Sequence, residues 1–203
     1  MQKDLTYLKK YASENQKLHL QFNDGNRIVF IGDSITEFWE RFDLLFFSNN
    51  NYINRGISSQ TTSQILVRFE EDVIHIKPKK VVILAGINDI AENNGPISLD
   101  DIMKNIVEML TIATQNNIEV ILCSLLPSNR FYWNPKILPA KNVIKLNEML
   151  QAYAELKKIM FVDYYYEMVD ENNGLKNEYG EDGVHPSLEG YLKMKSILQP
   201  FLK

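Results

Sequence analysis

The sequence predicts a three-layer α/β/α sandwich around a five-stranded parallel sheet. Two observations carry this. Short apolar runs rich in β-branched residues recur along the chain, and segments with helical apolar spacing separate them. Strands that alternate with helices become parallel neighbours, because such strands need crossover connections, and those crossovers are right-handed.

Leu5, Leu8, Tyr11 and Leu18 have the spacing of an amphipathic helix ahead of the first strand, and Asn23-Asp24-Gly25-Asn26 reads as the turn that follows it. Five buried strands are expected at Arg27 to Ile31, Tyr52 to Asn54, Lys80 to Leu84, Glu119 to Cys123 and Ile159 to Val162. Helical stripes lie between them: Ile65, Phe69, Val73 and Ile76; then Ile102, Ile106, Met109, Leu110 and Ala113; then Val143, Leu146, Met149, Leu150 and Tyr153. Tyr191 to Leu202 is read as the closing helix. No repeat or linker divides the chain, so one domain over 1–203 is expected, with 1–23 as a helical extension.

Hydrophobic residues make up 45% and charged residues 24% of the 203, a soluble globular composition. A net charge of -4 offers no general attraction to nucleic acid or anionic lipid. The single cysteine, Cys123, cannot form an internal disulfide and reads as a buried core residue. Residues 1–4 lack the apolar stretch of a signal peptide, and no window resembles a spanning helix. The chain as written is expected in the cytoplasm, or outside it if a signal has been trimmed. Oligomeric state is left open.

Ligand sites in such sheets lie at the carboxyl ends of the strands, near the switch in strand order. After the first strand comes Gly32-Asp33-Ser34, with the serine at a strand-to-helix turn. A helix-capping serine would look the same. The Gly-x-Ser-x-Gly elbow is absent, since Thr36 stands at its second glycine, and no Gly-rich phosphate loop follows the strand. Asp182-Gly183-Val184-His185-Pro186 offers a base and an orienting acid in one short loop, which acyl transfer by serine requires; a surface histidine is the plain alternative. An unremarkable environment would give His185 a pKa of roughly 6 to 7. The Gly56 N–H and the Asn88 amide are candidate donors to a developing oxyanion, against simple turn and helix-start roles.

Together, Gly32-Asp33-Ser34, Asn54-Arg55-Gly56-Ile57-Ser58, Gly86-Ile87-Asn88-Asp89 and Asp182-Gly183-Val184-His185-Pro186 resemble, in order, the four blocks of the SGNH (GDSL-like) hydrolases. The resemblance runs from Ile28 to Tyr191. It implies a flavodoxin-like sandwich in which Ser34 attacks an ester, His185 takes its proton and Asp182 orients the histidine. It also implies an oxyanion hole of the Ser34 and Gly56 N–H groups and the Asn88 amide, and no metal or organic cofactor. Two departures stand out. Ile35-Thr36 replaces the usual Leu spelling, as in the platelet-activating-factor acetylhydrolase-like and carbohydrate-esterase branch, and Ser59 stands where many relatives have glycine.

Phe131, Tyr132 and Trp133, after the fourth strand, are candidate substrate contacts together with Asp33; packing is the alternative for the aromatics. Arg130 is read as a solvated loop residue, and Tyr164-Tyr165-Tyr166 as packing. By family analogy the substrate is a short acyl ester, acetyl on a carbohydrate. A lipid or thioester substrate is the alternative among hydrolases. A non-catalytic carbohydrate-binding module and a metal-dependent hydrolase are the rivals from other classes.

Overall fold

The computed structural model describes residues 9–203. The sheet is β1 (Ile28–Gly32), β2 (Tyr52–Gly56), β3 (Lys80–Leu84), β4 (Glu119–Cys123) and β5 (Met160–Val162), all parallel, in the order β2-β1-β3-β4-β5. This is the predicted α/β/α architecture. Strands β1 and β3 are buried along their whole length, as expected when helices cover both faces. The chain leaves β1 for β2 on one side, then crosses back to β3 on the other. The switch point therefore lies between β1 and β3. Gly32 is in register with both Gly56 and Leu84, so the loops after these three strands open at one edge.

The helices follow the apolar stripes. Helix α6 (Leu99–Gln115) buries Ile102, Ile106, Met109, Leu110 and Ala113, and α7 (Ala140–Lys157) buries Val143, Leu146 and Leu150. The closing helix α9 (Leu188–Leu198) buries Tyr191, Met194 and Leu198. Before it, α2 (Ser34–Phe42) and α3 (Leu44–Ser48) follow β1, and α5 (Ile87–Ile90) and α8 (Tyr164–Met168) are single turns. No helix among the described residues is long and apolar enough to cross a membrane.

Three expectations need amendment. The stripe Ile65, Phe69, Val73, Ile76 is buried, but not as one α-helix: α4 (Thr62–Val67) ends at Arg68, and a π-helical turn spans Glu70–Ile74. A wider turn still points residues four apart to the same side, so the stripe survives the break. The N-terminal helix exists as α1 (Ala12–Leu20), with Leu18 partly buried against the core but no side chain fully buried, and Leu5 and Leu8 lie outside the described residues. Of the tyrosine run, Tyr164 is fully buried while Tyr166 is exposed. Cys123 is buried, and burial pushes its thiol up to about 12.

A buried polar knot sits under the open edge of the sheet. Arg68, with its side chain wholly buried, donates to Asp72 Oδ2 at 2.8 Å, to Gln60 Oε1 at 2.6 Å and to the Gly32 carbonyl at 3.0 Å. Removing one partner of a buried ion pair strands the other charge. Arg68→Met is therefore expected to cost about 3–5 kcal/mol, read as a lower urea midpoint. A loss under about 1 kcal/mol would show that Asp72 finds water or another partner.

Candidate active site

The site is assembled where β1, β2 and β3 end. A Cβ at Gly32 would strike the Leu84 carbonyl and the Thr36 side chain, so only glycine lets the chain turn there into α2. Asp33 then caps α2 by accepting from the Ile35 N–H at 2.9 Å, and Ser34 is the first helical residue. From the far end of the chain, the loop before α9 returns to this edge. Tyr191 pins it by donating to the Ile35 carbonyl at 2.8 Å.

The two loops meet in a line of hydrogen bonds. Asp182 Oδ1 accepts the Val184 N–H at 2.9 Å and the His185 N–H at 2.7 Å, which folds the loop back on itself. Its other oxygen lies 2.6 Å from His185 Nδ1. A carboxylate only accepts, so Nδ1 carries the proton and Nε2 presents a lone pair. Ser34 Oγ lies 2.8 Å from that Nε2 and donates to it. Burial pushes the Asp182 carboxyl up, but the bond from His185 and the two N–H groups outweigh this and hold it down at about 2. The hydrogen bond to Asp182 in turn raises the His185 pKa above its ordinary 6.5, against partial burial. The imidazole is therefore a stronger base than an unremarkable environment would make it.

At the same edge of the sheet lie N–H groups that meet no acceptor among the described residues. Asn88 Nδ2 gives one hydrogen to the Gln60 carbonyl at 3.1 Å, and Asn88 Oδ1 accepts from Asn93 at 2.8 Å, so the amide's orientation is fixed and its second hydrogen meets no acceptor among the described residues. Gly56 does not fill the part expected of it. Its N–H is spent on Asn54 Oδ1 at 2.8 Å, and a Cβ there would strike the backbone of Thr36 and Glu37. Gly56 is glycine because β2 packs directly on α2. Three residues on, Ser59 holds a left-handed φ of 66°, and its N–H meets no acceptor among the described residues. The signal for Ser59 was in the sequence, as the position where relatives carry glycine.

The expected substrate contacts divide. Asp33 is 1% exposed and engaged as the cap of α2, with burial pushing its carboxyl up to about 7, so it cannot touch a substrate in this state. Phe131 is fully buried and stacks under Trp133 at 5.0 Å between ring centroids. Trp133, 49% exposed, faces His185 at 6.5 Å, whereas Tyr132 is 59% exposed and packs on Arg130. Phe38, unflagged in the sequence, faces His185 at 5.6 Å. Two rings thus flank the imidazole. Among the described residues no cluster of His, Cys, Asp or Glu is arranged to hold a metal ion.

A hydroxyl, an imidazole and a carboxylate in series at the carboxyl edge of a parallel sheet define a serine-type hydrolase. The chain belongs to the GDSL-like Lipase/Acylhydrolase family, whose profile matches residues 30–193, and it is a carboxylic ester hydrolase. It is similar to a Bacteroides fragilis protein described as an acylhydrolase, at 46% identity, with a TM-score of 0.95 over 98% of this chain and 97% of that one. A GDSL-like lipase of Bacteroides thetaiotaomicron is 45% identical, with a TM-score of 0.94 over 97% of both chains. An acetylxylan esterase of Geobacillus stearothermophilus is 32% identical over 94 residues, 35% of this chain and 43% of that enzyme. The stretches matched in the curated relatives span 34% to 69% of those proteins.

Proposed function

We propose that the chain removes a short acyl group, acetyl, from a carbohydrate by way of an acyl-enzyme on Ser34. The carrying observation is the line Ser34 Oγ, His185 Nε2, His185 Nδ1, Asp182 Oδ2, with spacings of 2.8 and 2.6 Å. Ser34 Oγ attacks the ester carbonyl carbon as its proton passes to Nε2. The carbonyl oxygen becomes an oxyanion held by the Ser34 and Ser59 N–H groups and the Asn88 amide. The bond to the alcohol oxygen then breaks, and Nε2 returns the proton to that oxygen. Water, deprotonated by the same imidazole, hydrolyses the acyl-enzyme and frees Ser34.

Two features favour a small acyl group on a ring-shaped alcohol. The apolar crevice at Asp33, lined by Ile35, Leu84, Ile87, Leu125 and Leu126, is a small space of about 250 Å³, which suits a short acyl group better than a long one. Because His185 protonates the leaving oxygen, Phe38 and Trp133 beside it flank the alcohol, where an aromatic face suits the apolar face of a sugar. The similar acetylxylan esterase accords with this.

The test is hydrolysis of p-nitrophenyl acetate, butyrate and octanoate, followed by acetate release from acetylated xylo-oligosaccharides. kcat/KM is expected to fall with chain length, by roughly tenfold or more from acetate to octanoate for the lost fit. A preference for octanoate would replace this reading with a lipid-directed one.

A further inference from the structure

The oxyanion loop is held from outside the family's matched region. Lys10 Nζ lies 2.6 Å from Glu37 Oε1, and Glu37 Oε2 accepts both the Ser58 N–H at 2.6 Å and the Ser58 hydroxyl at 2.5 Å. Ser58 immediately precedes Ser59, which has a left-handed φ of 66° and whose N–H meets no acceptor among the described residues. Tyr11 donates to the Gly56 carbonyl at 2.5 Å, and Lys10 reaches the same oxygen at 3.3 Å. The Arg55 guanidinium lies over the Tyr11 ring at 4.5 Å and donates to Asn15 Oδ1 at 2.9 Å. Asn15 in turn donates to Asp72 at 2.7 Å, which ties the segment to the Arg68 knot under Gly32 and Gln60. Helix α1, which follows, fully buries no side chain, though Leu18 packs against the core. At this end the contacts are polar: Lys10 and Tyr11 meet Gly56 and, through Glu37, Ser58, while Asn15 meets Arg55 and Asp72.

We propose that residues 10–15 act as a strap that sets the oxyanion loop, with Lys10, Tyr11 and Glu37 as positioning residues for ester hydrolysis acting through Gly56 and Ser58. This rests on the reading that Ser59 and Asn88 bind the oxyanion. A charged acceptor on two donors of one residue is a strong, directional hold. Without it Ser58 turns to water, and the next N–H no longer meets the developing charge. Misplacement of that order costs a large factor in the chemical step while leaving ground-state binding alone.

The experiment compares Glu37→Gln, Tyr11→Phe, Lys10→Met, Lys10→Arg and Asn88→Ala in the full chain. Active sites are titrated with a fluorophosphonate, p-nitrophenyl acetate kinetics are expressed per titrated site, and affinity is measured for a methyl trifluoromethyl ketone, whose hemiketal oxygen occupies the hole. Asn88→Ala is expected to lower kcat roughly 100-fold. Glu37→Gln and Lys10→Met should lower it roughly 10-fold or more, with KM within about twofold and ketone affinity reduced in step with kcat. Lys10→Arg should recover most of the Lys10→Met loss. A role in stability alone would lower the titrated fraction or the melting temperature and leave kcat per site unchanged. Unchanged kcat per site in the strap variants, with Asn88→Ala impaired, overturns the strap. Unchanged kcat in Asn88→Ala overturns the oxyanion reading and the strap with it. Should Glu37→Gln fail to fold, Tyr11→Phe and Lys10→Met give the same decision.

Discussion

Ser34→Ala is expected to lower kcat for p-nitrophenyl acetate by roughly 10⁴- to 10⁶-fold, with the protein still folded. The size follows from what the hydroxyl does. Without Oγ no acyl-enzyme forms, and the remaining donors can only assist attack by water that has no fixed position. Ser34 is buried beneath the loop edge and its hydroxyl bonds only His185 among the described residues, so an alanine there removes chemistry and little packing. The melting temperature should move by no more than a few degrees. Activity within tenfold of the wild type would mean that another group attacks.

His185→Ala should lose about as much as Ser34→Ala, because the two act as one unit, whereas Asp182→Asn should lose less. The wild-type pH profile carries a matching expectation. The bond to Asp182 raises the His185 pKa above 6.5, and Nε2 accepts a proton only in the neutral ring. Activity must therefore rise with pH through a limb above 6.5 and fall away on the acid side. Removing the Asp182 charge deletes the leading cause of the upward shift, so the Asp182→Asn limb should move to lower pH while its plateau drops. Plotting kcat/KM from pH 5 to 9 for both proteins checks this. A flat wild-type profile, or a limb that fails to move in Asp182→Asn, would count against His185 as the base.

Much of this arrangement can be read from the chain, for physical reasons that also mark where reading stops. Strands buried on both faces are written as unbroken apolar runs, so Lys80–Leu84 and Glu119–Cys123 were legible to the residue. Ser34, His185 and Asp182 stand in short loops with distinctive turn residues, and the structure brings them into one line. What was not legible depends on contacts between distant segments. Gly56 and Ser59 are three residues apart on one loop, and only the packing of β2 on α2 decides which N–H is left free. Arg68 and Asp72 fall on the apolar stripe with Ile65 and Phe69, and the ion pair they form there was not read from the sequence. The α1 segment has the spacing of an amphipathic helix and Leu18 does pack against the core, but polar contacts of Tyr11, Glu14 and Asn15 fasten it as well. Phe38 was not singled out in the sequence, because only the fold lays the His185 loop against it.

The role of Ser34 as nucleophile is decided by treating the enzyme with an alkyl fluorophosphonate, following esterase activity, and mapping the adduct by peptide mass spectrometry. One adduct per chain, on Ser34, formed in step with the loss of activity and absent from His185→Ala, is the predicted result. Full inactivation with the adduct on another residue, or full activity with Ser34 modified, would contradict it.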